Sequence, residues 1–180
     1  MMRNRYLGLG LLISMFVLSS AFETHASQWD TPKYNSWWGG IGSGGAWTLG
    51  VRGKNLGIAM GGTGEAQMSE DQILDWAVPH DDYTSLGRKS TSSAWGIDLL
   101  GFVNPLKWCS IQMGLGVYSQ DFRDVAQSNV TGWTYTQGKS SETQMAYSAG
   151  LQFLPFNKLT FGVDYHSVRG VTGVIGLKFD

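Results

Sequence analysis

Hydrophobic alternation with a period of two runs through most of this sequence, and one of its two faces carries no charge. Near the C-terminus Leu159, Phe161, Val163 and Tyr165 alternate with Thr160, Gly162, Asp164 and His166, the pattern of a strand with one apolar face. After a short connection, Ser167-Val168-Arg169-Gly170, the positions Val171, Gly173, Ile175, Leu177 and Phe179 alternate with Thr172, Val174, Gly176 and Lys178. The two segments read as a hairpin. The same period recurs upstream at Met145 to Phe153, Ile111 to Val117, Trp95 to Leu100, Leu56 to Gly61 and Thr48 to Arg52, with a glycine-rich first strand over Trp37 to Gly42. That makes eight strands.

The connections between them alternate in length. Turns are expected at Lys54-Asn55, Asn104-Pro105 and Pro155-Phe156-Asn157, whereas long polar connections fall at about 65–90 and 119–141. Ser43-Gly44-Gly45 and the 167–170 connection are short but fall on the same side as the long ones. An even strand number, with tight turns at one end and longer loops at the other, is the layout of an antiparallel up-and-down transmembrane barrel. The N-terminus agrees with an envelope location. Arg3 and Arg5 precede an apolar run from Tyr6 to Leu18, too short to span a membrane as a helix, and a small residue, Ala26, offers a cleavage point. Residues 1–26 are therefore expected to be a signal peptide, 27–35 an N-terminal periplasmic segment, and 36–180 the barrel.

Periodicity alone does not say whether the apolar face meets lipid or a protein core, so a secreted soluble barrel of lipocalin type is the competing fold. Composition separates the two. A water-facing wall is rich in Lys and Glu, with ~25–35% charged residues, but here the polar face is mostly Gly, Ala, Ser, Thr and Gln, and the whole chain is only 15% charged. Twenty-five glycines suit a narrow lumen filled by side chains. The opposite face, from Leu49 to Phe179, has no charged residue, as lipid requires. Trp108, Phe153, Phe156 and Phe179 gather at the tight-turn end and Trp95, Tyr147 and Tyr165 at the loop end, as two interfacial girdles would. Cys109 is expected to face lipid. A net charge of -1 without a concentrated basic patch excludes nucleic-acid binding.

In its opening Trp37-Trp38-Gly39-Gly40-Ile41-Gly42 and its closing Gly173-Val174-Ile175-Gly176-Leu177-Lys178-Phe179, the chain resembles the small eight-stranded outer-membrane barrels of the OmpA and OmpX type. The resemblance implies a bacterial outer-membrane location among phospholipid and lipopolysaccharide. It also implies recognition of the last strand, with its aromatic Phe179, by the barrel-assembly machinery. Some barrels of this kind are lipid A deacylases with a Ser-His-acid arrangement, in which His and Ser two residues apart share a face. Here His166 and Ser167 are adjacent, so their side chains diverge on a strand, and the pair is not expected to be an active site.

The lumen-facing candidates are Arg52, Asp98, Gln112, Gln152, Asp164, His166 and Lys178. Their four charges cancel, which suits a paired internal network. No cofactor is expected, and no Cys/His cluster or EF-hand spacing supports a metal. The first long connection is net acidic and reads as a solvated surface loop, with a short helical turn after Ser69. Together these readings predict an integral outer-membrane barrel with a structural, surface-exposed or adhesion-type role. They do not predict an open pore. No motif in the loops names a surface ligand.

Overall fold

The protein is described by a computed structural model over residues 34–74, 82–155 and 158–179. The expected signal peptide and most of the 27–35 segment lie outside the described residues, as does Phe156. Within them are nine strands: β1 (Asn35–Gly42), β2 (Trp47–Arg52), β3 (Leu56–Gly62), β4 (Tyr83–Ser90), β5 (Trp95–Leu106), β6 (Cys109–Ser128), β7 (Thr134–Phe153), β8 (Leu159–His166) and β9 (Gly170–Phe179).

Eight of the nine close a ring. The antiparallel pairings run β1, β2, β3, β5, β6, β7, β8, β9 and back to β1, where Asn35 pairs with Phe179 and Gly42 with Thr172. Closure removes every free edge within the ring, the condition for a sheet to sit in hydrocarbon. β4 stands outside it. It pairs only with the outer half of β6, from Phe122 to Ser128, while the inner half, from Cys109 to Ser119, pairs with β5. Thus β4 lies in the 65–90 stretch read from sequence as loop, and the outer halves of β6 and β7 occupy much of 119–141. Together they build a three-stranded sheet that continues the barrel wall beyond its rim.

Alternation places the side chains as the period requires. Leu49, Val51, Ile58, Met60, Ile97, Leu99, Val163, Ile175 and Leu177 are all exposed on the outer wall, and no charged residue interrupts them. Eight residue steps from Val171 to Phe179, at ~3.3 Å each and a tilt of ~40°, give a belt roughly 20 Å tall. At the loop end Trp47 and Trp95 flank Gly62 across adjacent strands. At the turn end the Trp108 and Phe153 rings stack at 6.1 Å, and Phe153 pairs with Phe161. So much apolar area cannot face water. The chain is a membrane-spanning β-barrel of the outer-membrane type.

One local expectation is corrected. The turn read at Asn104-Pro105 is instead strand: β5 continues to Leu106 with a register irregularity after Val103, which accommodates a proline that cannot donate to the ladder. The reversal falls at Lys107-Trp108. Asn104 is thereby carried inward and buried. Cys109 pairs with Phe153 and Leu106, which puts it on the outer-wall side of β6 as expected, although neighbouring side chains bury it. The turn after Ser69 does form, as a 3-10 turn over Glu70–Gln72, yet Ser69 makes no side-chain capping bond.

Candidate functional site

The inward residues of β5 give the depth scale of the lumen. From loop end to turn end they are Asp98, Leu100, Phe102 and Asn104, two residues apart and all buried. Asp98 belongs to a polar layer at the loop end, Leu100 and Phe102 to an apolar layer, and Asn104 to a second polar layer at the turn end.

Asp98 is the hub of the loop-end layer and is 0% exposed. Its Oδ1 lies 3.0 Å from His166 Nε2, and its Oδ2 accepts from Tyr118 OH at 2.8 Å and from Arg169 Nη2 at 3.0 Å. The second carboxylate, Asp164, reaches the same Arg169 nitrogen at 3.9 Å. His166 Nδ1 accepts two backbone N–H groups, from Val168 at 3.1 Å and Arg169 at 3.3 Å. A nitrogen that accepts carries no proton, so His166 is neutral with its proton on Nε2, donated to Asp98. The ring also packs on Tyr118 at 4.7 Å. Glycine makes the layer possible: a Cβ on Gly116 would overlap Asp98 Oδ1, and one on Gly61 would come within 2.7 Å of Arg169 Nη1.

Below lies an apolar layer of Trp38, Ala59, Leu100, Phe102 and Val174, with Trp38 and Phe102 edge to face at 5.9 Å. Below that, Arg52 organises the turn end. Its Nη1 donates to Tyr34 OH at 3.2 Å, Ser110 Oγ at 3.1 Å and Gln152 Oε1 at 3.4 Å, and its Nη2 to Asn104 Oδ1 at 3.0 Å and Lys54 O at 3.2 Å. The guanidinium lies 3.9 Å from the Phe102 ring centroid. Gln152 Nε2 donates to Gln112 Oε1 at 3.0 Å. Lys178 is half-buried, its ammonium 5.8 Å from the Tyr34 ring.

The sequence-predicted lumen residues therefore do not form one network. Asp98, Asp164 and His166 share the loop-end layer, and Arg52, Gln112 and Gln152 share the turn-end layer, with apolar side chains between. Among the described residues no carboxylate is in ion-pair range of Arg52. Its donors are met by neutral oxygens, two of them backbone carbonyls of the β2–β3 turn at Gly53 and Lys54. The cation that does pair with Asp98 and Asp164 is Arg169, which sequence reasoning left in a turn. Asn104, Ser110, Tyr34 and Tyr118 were missed with it.

His166 and Ser167 are not brought together as base and nucleophile. Both ring nitrogens of His166 are occupied as described, and Ser167 Oγ instead accepts the N–H of Tyr147 at 3.1 Å. The imidazole has no nitrogen free to take a serine proton.

Beyond the rim, the three-stranded sheet is tied to the segment that precedes it. Leu74 bridges to Tyr135, with Leu74 N donating to Thr134 O at 3.0 Å and Thr136 N to Leu74 O at 3.1 Å. Glu70 pairs with Arg123 at 3.1 Å and Lys139 at 3.5 Å. Ile73, Val125, Ala126 and Tyr135 are buried there.

No family model matches the chain, and no curated protein matches it. Among solved structures it is similar to Ail, the attachment invasion locus protein of Yersinia pestis, in complex with the heparin analogue sucrose octasulfate. That match has a TM-score of 0.44 at 14% identity and covers 82% of this chain and 97% of that one. Ail in a phospholipid bilayer nanodisc gives 0.45 at 16%, covering 82% and 100%. The N-terminal β-barrel domain of Pseudomonas aeruginosa OprF gives 0.44 at 10%, covering 81% and 96%.

Proposed function

We propose that this protein is a surface-exposed outer-membrane barrel with an adhesion-type or structural role, whose working part is the sheet raised beyond the rim. The observation that carries this reading is strand length. β6 and β7 are 20 residues each, whereas a tilted strand crosses the bilayer in ~9–11. The surplus is ordered into a sheet with β4, buttressed by Leu74 and Glu70. A barrel that served only as an anchor needs no such extension.

On this reading residues 1–26 direct export, the barrel-assembly machinery inserts the strands, and the outer wall sits among phospholipid and lipopolysaccharide. The barrel is not an open pore. An apolar cluster buried in the lumen between two polar layers supports that, since eight strands leave a lumen that side chains fill. Planar-bilayer recording tests it: no steady unitary conductance is expected from the wild-type protein, and persistent conductance at low protein concentration would refute it. Retention of the protein-bearing cells on host surfaces, compared with cells carrying a barrel shortened between Gln120 and Glu142, tests the role of the extension. Equal retention by both would refute that role.

A further inference from the structure

The far tip of the extension carries large apolar side chains that are exposed. The β6–β7 turn carries Val130 at 79% and Trp133 at 58% exposed, and Tyr83 at the start of β4 is 38% exposed beside them. Tyr83 pairs with Ser128, whose N–H in turn donates to Trp133 O at 2.9 Å. These are not lipid-belt residues. Nine residue steps along β6 separate Ser128 from Ser119, which pairs with the girdle residue Trp95, so the tip stands roughly 20–30 Å beyond the girdle at ~3.3 Å per residue.

The turn that presents them is tightly held. Ser128 Oγ accepts the N–H groups of Val130 and Thr131, each at 3.2 Å, and Gly132 N donates to Ser128 O at 2.9 Å. Gln127 Nε2 donates to Gly132 O at 2.8 Å, with Gly132 at φ 74°. Asn129 Nδ2 donates to Asp82 Oδ1 at 2.9 Å, and Asn129 Oδ1 accepts from Thr84 at 2.8 Å. So many bonds hold the backbone of one five-residue turn, and little backbone ordering remains to oppose the docking of its apolar side chains.

We propose that this tip is a docking point for an uncharged phospholipid surface, such as the zwitterionic leaflet of an apposed membrane. Three features select that occupant. The side chains crown a convex turn, so the partner must be deformable or concave. Trp and Tyr favour the headgroup boundary of a bilayer. Across 82–84 and 127–134 the one charged side chain is Asp82, so among the described residues the tip has no cation to draw it to an anionic surface. The inference rests on the reading that the extension faces outward, and the test separates the two.

Full-length protein in biotinylated nanodiscs is immobilised and offered fluorescent phosphatidylcholine vesicles, against empty discs. Capture is expected, insensitive to salt, and Trp133→Ser with Val130→Ser is expected to lower it about tenfold or more, the order of effect of exposing a Trp and a Val that were buried. The variant's heat-dependent gel mobility checks that the barrel is intact. No capture by the wild type, equal capture by the variant, or capture that needs anionic lipid and vanishes in salt would each overturn the proposal. Labelling of Thr131→Cys on intact cells by a membrane-impermeant maleimide reads outward placement separately. Labelling without vesicle capture overturns the docking alone, and absence of labelling overturns the outward placement on which it rests.

Discussion

Replacing Asp98 with alanine removes the acceptor of three buried donors at once: His166 Nε2–H at 3.0 Å, Tyr118 OH at 2.8 Å and Arg169 Nη2 at 3.0 Å. Asp164, at 3.9 Å, is too far to take over the guanidinium without moving. Removing one partner of a buried ion pair costs ~3–5 kcal/mol, and each donor left unmet adds ~1–3 kcal/mol. These terms overlap, and water entering the vacated space offsets part of them. A loss of about 4–5 kcal/mol is therefore expected, the upper part of the single-pair range. Asp98→Asn keeps the shape and one acceptor oxygen and is expected to lose about half as much. Asp164→Asn, which disturbs the longer contact with Arg169, is expected to lose less than ~1.5 kcal/mol. Reversible urea unfolding in thin-bilayer vesicles, followed by tryptophan fluorescence, measures all three. A loss below about 1 kcal/mol for Asp98→Ala, the range of an exposed pair, or equal losses at Asp98 and Asp164, would refute the assignment of Asp98 as the hub.

Gly116→Ala is expected to destabilise the barrel by ~1–3 kcal/mol or more, because its methyl overlaps the Asp98 carboxylate in a layer with no room to yield; the same unfolding assay reads it. Glu142→Ala removes the 2.6 Å pair with Arg88, but both partners are substantially exposed, so the expected loss is under ~1 kcal/mol. Reconstituted wild type, His166→Ala and Ser167→Ala are expected to leave lipid A with the same mass spectrum after incubation with lipopolysaccharide, and loss of an acyl chain in the wild type alone would contradict the geometry at His166.

The barrel wall was legible because each wall strand has two different environments. Where one face meets lipid and the other a narrow lumen, as from Leu159 to His166, the sequence alternates and the strand announces itself. Beyond the rim both faces of the sheet meet water or a thin local core. Tyr83–Ser90 and Thr134–Thr143 accordingly lose the alternation, and they read as loop although they are strand. The lumen candidates were legible one by one from their parity, but parity carries no depth. It could not tell that Leu100 and Phe102 lie between Asp98 and Arg52, and so it suggested pairing across an apolar layer. Arg169 escaped because it is in a turn, where period two has ended. Its signal was position: it is the cation closest in sequence to Asp164 and His166, followed by Gly170, whose φ of 75° lets the chain reverse and fold that side chain over the lumen.

The central claim is a closed wall that is apolar to lipid on one side and sealed against water on the other, and β9 tests it residue by residue. Spin labels are placed singly from Val171 to Lys178 in bilayer-reconstituted protein with Cys109 replaced by serine, and accessibility to oxygen and to a water-soluble nickel chelate is read at each position. The account predicts high oxygen and low nickel accessibility at 171, 173, 175 and 177, with low accessibility to both reagents at 172, 174 and 176. Nickel accessibility at the even positions would mean a water-filled lumen, and loss of the two-residue period would mean that β9 does not close against β1 in lipid; either result would contradict the account.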